Sequence, residues 1–95
     1  MNGLLVTAKE IALEVFGTSE FKIVDVFSYG EKKIEFMVKY MANIISVSIT
    51  DDLWYDFMIL DDEGNEIIYS NTVHISSVSE MQKMIQQDLG KCSKN

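Results

Sequence analysis

Through the middle of the chain the apolar residues recur at every second position, and this period decides the class of fold. In IEFMVKY, residues Ile34, Phe36, Val38 and Tyr40 fall on one side of an extended backbone, with Glu35, Met37 and Lys39 on the other. In the next segment Ile45, Val47 and Ile49 alternate with Ser46, Ser48 and Thr50. A period of two belongs to strands with one buried face. FKIVDVFSY (21–29), LWYDFMIL (53–60) and EIIYSNTV (66–73) read as further strands. The links between them are short: GEK after Tyr29, a turn around Met41, Ala42 and Asn43, and the Asp62-Glu63-Gly64-Asn65 hairpin. In that hairpin Gly64 or Asn65 can take a positive φ. Links of this length join antiparallel neighbours, so four or five strands should form a meander.

The period changes to a helical one at both ends. Leu4, Leu5, Ala8, Ile11, Ala12 and Val15 mark an N-terminal helix, opened by Asn2 or by a Thr7/Glu10 capping box, with Gly17 as a left-handed C-terminal cap. A second capping box, Ser77 with Glu80, opens a helix on Val78, Met81, Met84, Ile85 and Leu89 that ends at Gly90. The expectation is a single α+β domain over 1–90, an antiparallel sheet flanked by an N-terminal and a C-terminal helix, with 91–95 a flexible tail. Its core should contain Ile11, Val15, Phe36, Val38, Val47, Ile49, Phe57 and Ile85.

Composition narrows the function. Fifteen acids against eight bases give a net charge of −7, and every base is lysine. Without arginine there is no bidentate fork for phosphate or guanine, and so negative a chain is repelled by a phosphate backbone or an anionic membrane. Direct nucleic-acid binding and membrane attachment are not expected. The first residues lack a basic segment and carry Glu10 and Glu14 among the apolar ones, unlike a signal peptide, so a cytoplasmic location is expected. The expected partner is a protein with a basic surface.

Catalytic constellations are missing from the sequence. His74 is the sole histidine and Cys92 the sole cysteine, too few for a zinc site or an internal disulfide, and they do not form a Cys–His motif. No G-x-S-x-G elbow or glycine-rich phosphate loop occurs. Aligning Gly64 with the sixth position of a calcium loop puts Ile59 first and Ser70 twelfth, where carboxylates are required. The expectation is a protein that is not an enzyme and that uses no metal or cofactor.

The stretch DDLWYDFMILDDEGNE instead points to docking. Leu53, Tyr55, Phe57 and Ile59 continue the core pattern, which sends Trp54, Asp56, Met58 and Leu60 to the other face of the sheet. On the first strand, Val24 and Val26 inward keeps Asp25 out of the core and places Phe21, Ile23, Phe27 and Tyr29 beside Trp54; the shifted register buries Asp25. If a helix covers each face, Trp54 is ordinary core. If one face is open, aromatic and methionine side chains bordered by acids have the composition of an interface, with Asp51, Asp52, Trp54, Asp56, Met58, Asp61, Asp62 and Glu63 as its partner-binding residues.

In size, acidity and lack of catalytic groups the chain resembles small phage and bacterial inhibitor and immunity proteins, anti-CRISPR proteins among them. That resemblance is one of composition and transfers no residue roles. It implies a non-catalytic inhibitor that blocks a basic, nucleic-acid-handling protein. A homodimeric or subunit-type interaction module is the alternative.

Overall fold

The computed structural model describes residues 3–92. The period-two segments become β1 (Phe21–Tyr29), β2 (Lys33–Tyr40), β3 (Asn43–Thr50), β4 (Trp54–Leu60) and β5 (Ile67–His74). Each pairs antiparallel with its sequence neighbour, giving one sheet in the order β1-β2-β3-β4-β5. Helix α1 (Gly3–Phe16) precedes the sheet, and α2 (Met81–Leu89) follows it through a 3-10 turn at Val78–Glu80. The fold is α+β, the five-stranded form of the expected meander. No helix among the described residues is long and apolar enough to cross a membrane.

Both helices pack on the same face of the sheet. Ile34, Phe36 and Val38 of β2, Ile45, Val47 and Ile49 of β3, and Tyr55, Phe57 and Ile59 of β4 share one buried cluster with Leu5, Ala8, Ala12 and Phe16 of α1 and Met81 and Ile85 of α2. Period-two residues on the strands thus meet period-3.6 residues on the helices. Of the expected core, Phe36, Val38, Val47, Ile49, Phe57 and Ile85 are fully buried. Ile11 and Val15 are half-buried at its margin, while Phe16 reaches deeper.

Strand β1 departs from the expected register. Ile23 pairs with Val38 and Asp25 with Met37, so Val24 is an extra residue in a β-bulge. An extra residue reverses the parity of everything beyond it. Phe21 and Ile23 therefore point to the core together with Val26, whereas Asp25, Phe27 and Tyr29 take the outer face and Val24 is exposed. Phe21 stacks on Tyr40 at 4.6 Å and meets Phe16 edge-on at 5.2 Å.

The helix ends also differ from the sequence expectation. Thr7 lies inside α1, where its hydroxyl donates to the Gly3 carbonyl at 3.0 Å rather than capping; Asn2 lies outside the described residues. Glu80 accepts from Ser76, not from the Ser77 end of a capping box, and Ser77 makes no side-chain cap bond. Gly17 is not left-handed. It is required for closeness instead, since a Cβ there would stand 2.5 Å from the Leu13 carbonyl oxygen. Two residues of the expected tail are part of the fold: Lys91 and Cys92 donate backbone bonds to Asp88 and Leu89, and the Cys92 side chain is buried in the core. Residues 93–95 lie outside the described residues.

Candidate functional site

With both helices on one face, the other face of the sheet is left uncovered by the described residues. Its residues form rows across the strands: Phe27, Glu35, Ser48, Asp56 and Thr72 in one, and Asp25, Met37, Ser46, Met58 and Ser70 in the next. Trp54 and His74 are paired at one end of the sheet. Trp54 is 46% exposed, Tyr29 49% and Phe27 37%. Three partly solvated aromatics on one face are uncommon where burial is available, and such a patch has the chemistry of an interface.

The indole is held from below. Leu53, just before it, has φ of +71°, a left-handed conformation that costs a branched residue on the order of 1–3 kcal/mol. The surrounding bonds hold that turn: Leu53 N donates to the Thr50 carbonyl at 3.1 Å, and the Leu53 carbonyl accepts from Ile75 N at 3.0 Å. Thr50 Oγ1 accepts from Trp54 N at 3.0 Å and donates to the Asp52 carboxylate. The Trp54 ring meets His74 edge-on, with centroids 5.2 Å apart. His74 Nε2 lies 2.8 Å from the Asp52 carbonyl, which can only accept and so assigns a proton to Nε2.

The acids of the face are oriented in the same way. Glu35 accepts from Ser46 Oγ at 2.7 Å and from the Tyr29 hydroxyl at 3.0 Å, and that bond raises the Tyr29 phenol above its ordinary pKa. Lys33 Nζ sits 5.2 Å from the centre of the Tyr29 ring. Asp56 accepts from the Thr72 hydroxyl. Met58 is half-buried between Ser46 and Ser70.

The eight sequence-predicted residues thus divide into three groups. Trp54, Asp56 and Met58 share the uncovered face. Asp51 and Asp52 occupy the turn at its Trp54 end, and Asp61, Asp62 and Glu63 the turn at the far end of β4. Two of the turn acids also have work within the fold. Asp61 Oδ1 accepts from the backbone of Glu63 at 3.1 Å and Asn65 at 2.7 Å, closing the β4–β5 loop, and Asp52 braces Thr50. Asp51, Asp62 and Glu63 are exposed.

Charge is unevenly distributed along the chain. Between Lys39 and Lys83 there are eight acids and no lysine; seven of the acids lie in β3, β4, β5 and the turns between them, and the eighth, Glu80, lies in the 3-10 turn. Residues 21–39, which supply β1 and β2, hold four lysines and three acids. One half of the sheet is therefore strongly negative and the other nearly neutral.

A buried polar cluster escaped the sequence reading. Asp88 of α2, 4% exposed, accepts from the Tyr55 hydroxyl at 2.7 Å, from the Tyr69 hydroxyl at 2.8 Å and from Asn71 Nδ2 at 3.2 and 3.3 Å. Burial first, then the bond to Asp88, hold the Tyr55 phenol protonated far above its ordinary range. Met81, Ile85 and Asp88 follow a helical stripe, which was the available signal. The Asp88 and Tyr55 end of the cluster is buried, Tyr69 and Asn71 are half-buried at its margin, and the bonds fasten α2 to β4 and β5.

Metal and pocket chemistry find little to build on. No three His, Cys, Asp or Glu side chains among the described residues are grouped to hold a metal ion. A groove of about 310 Å³ lies in the helix layer, with Val15, Phe21 and Leu89 among its apolar walls and Glu14, Glu20, Gln82 and Gln86 among its polar ones. It contains no histidine or cysteine. Burial pushes the Cys92 thiol up, away from the reactive thiolate. No protein-family model matches the chain, and comparisons with curated proteins and with solved structures returned no significant match.

Proposed function

We propose that this chain is a non-catalytic protein-binding module, an inhibitor of the phage or bacterial kind that acts in the cytoplasm and occludes a basic, nucleic-acid-handling protein. The observation that carries this reading is the uncovered sheet face, where exposed Trp54 stands in a half-sheet whose strands β3 to β5 and their turns hold seven acids and no lysine, and exposed Phe27 and Tyr29 share the same face. Aromatic side chains on a rigid strand supply contact area at little entropic cost, and tryptophan and tyrosine commonly dominate binding energy. The fixed carboxylates favour partners whose surface is positive and repel those that are negative.

The test is capture from a bacterial lysate at low and high salt, followed by binding measurements on the purified partner. A basic partner is expected, which loses its nucleic-acid binding when the chain is added. Trp54→Ala should weaken the complex by about 2 kcal/mol or more, the range of an interface hot spot, while leaving the half-exposed position's contribution to folding small. An affinity unchanged by Trp54→Ala and by salt rejects the reading. Salt-insensitive self-association through Trp54 replaces it with the homodimeric module.

A further inference from the structure

The two edges of the sheet are not alike. On β1 the bulge at Val24 interrupts the ladder, and Lys22 and Asp25 put charges beside it. Bulges and edge charges are devices that discourage another strand from pairing. On β5, the segment IIYSNTVH carries no lysine, acid or proline, and it ends the strand order with no further strand paired to it among the described residues. Its irregularity is confined to one end, where Leu60 pairs with Ile67. Ile67 and Ile68 are 62% and 56% exposed there, and Ser70, Thr72 and His74 are exposed along the rest.

The direction of the β5 backbone groups follows from one bond. Ile75 N donates to the Leu53 carbonyl at 3.0 Å, so Leu53 and Ile75 form a hydrogen-bonded pair. In an antiparallel ladder such pairs recur at every second residue. Tyr55–Val73, Phe57–Asn71 and Ile59–Tyr69 are then the bonded pairs, and Trp54–His74, Asp56–Thr72 and Met58–Ser70 the others. The N–H and C=O groups of Ser70, Thr72 and His74 therefore point away from β4, into the open edge.

Charge identifies what fits beside them. Asp61, Asp62, Glu63 and Glu66 stand at the Ile67 end of β5, and Asp51 and Asp52 at the His74 end. A second copy would bring the same acids against these, whereas a lysine-bearing segment would be attracted at both ends. We infer that β5 accepts an extended, basic segment of the partner protein as a sixth strand, bonded to Ser70, Thr72 and His74. This rests on the reading of the chain as a binder of basic proteins, and supplies the partner's conformation: main-chain bonds for affinity, lysines at the segment's ends for selection. Spanning β5 takes about eight extended residues at roughly 3.3 Å each.

The experiment uses the full chain and a synthetic peptide of about eight alternating lysine and valine residues. Two further peptides carry N-methyl groups on one or the other alternate set of amides, which keeps the charge and removes the donors of one strand edge. Amide hydrogen exchange is followed at Ser70, Thr72 and His74, with affinity measured by calorimetry. The peptide should slow exchange at these three amides while leaving Asn71 and Val73 unchanged. One N-methylated isomer should lose about tenfold or more in affinity, the equivalent of one or two hydrogen bonds, and the other should not. Equal affinity of all three peptides, no binding, or unslowed exchange overturns strand addition. Slowing that grows with protein concentration in the absence of peptide assigns the edge to a second copy and likewise overturns it. If Trp54→Ala weakens the captured complex but the β5 amides stay unprotected, the docking face stands and the edge does not.

Discussion

Replacing Asp88 by alanine puts the largest demand on the packing described above. The carboxylate takes four hydrogen bonds from three side chains, and Tyr55, one of the donors, has no exposed surface. Losing a bond to a charged acceptor costs about 1.5–3 kcal/mol, and stranding a buried hydroxyl about 1–3 kcal/mol more. Tyr69 and Asn71 are only half-buried, so water can reach them and recover part of the loss. The expected destabilisation by Asp88→Ala is about 3–5 kcal/mol, a large share of the 5–15 kcal/mol typical of a small domain. Asp88→Asn keeps an acceptor in place and should cost less. Urea denaturation of parent, Asp88→Ala, Tyr55→Phe and the double variant completes a cycle, with a coupling of at least about 1 kcal/mol expected for groups in direct contact. The double variant should be milder than the sum of the singles, because no hydroxyl is then left unpaired. A loss below about 1 kcal/mol for Asp88→Ala, or strict additivity, would refute the cluster as the fastening of α2.

Two further outcomes test the same core. Phe57→Ala should destabilise by about 3–5 kcal/mol, as for other fully buried phenylalanines, and a denaturation midpoint shift worth under about 1 kcal/mol would reverse the assigned faces of β4. Because the Tyr55 phenol is held protonated in the fold but ionises near pH 10 once unfolded, its contribution is whole below pH 10 and falls as pH rises further, by about 1.4 kcal/mol per pH unit. Stability measured between pH 9 and 11, about the unfolded tyrosine value, should fall less steeply in Tyr55→Phe than in the parent; parallel curves would contradict the assignment.

The sequence displayed the strands and their order because alternation on β2, β3 and β4 is uninterrupted, and it placed Trp54, Asp56 and Met58 opposite the core for the same reason. It could not display the bulge at Val24. Phe21 and Ile23 share one parity and Val26 the other, and only pairing against β2 reveals that both sets face inward. Asp88 was missed because an acid on an apolar helical stripe is ordinarily solvated, and its donors come from strands 17 to 33 residues away. The pairing of His74 with Trp54 likewise depends on the β4–β5 register. Ser77 and Glu80 have the spacing of a capping box, but the 3-10 turn rotates Glu80 towards Ser76, an outcome that spacing does not encode. The turn acids were read by charge alone; the bonds that Asp52 and Asp61 make depend on local φ and loop closure.

Each strand after β1 pairs with the one made just before it, and that has a consequence for folding order. Each pairing closes a loop of a few residues, so its entropic cost is small and the ladder can grow one hairpin at a time as the chain is synthesised. The apolar face of that ladder cannot be sealed so early. Met81, Ile85 and the Asp88 carboxyl group that Tyr55 and Tyr69 require all lie on α2, which follows all five strands in the chain. Until then the growing sheet has two sticky surfaces rather than one, and the β5 edge joins them. The sheet therefore becomes one-sided only once residues through Asp88 are free to pack, and until then its exposed apolar face is the kind of surface that promotes association.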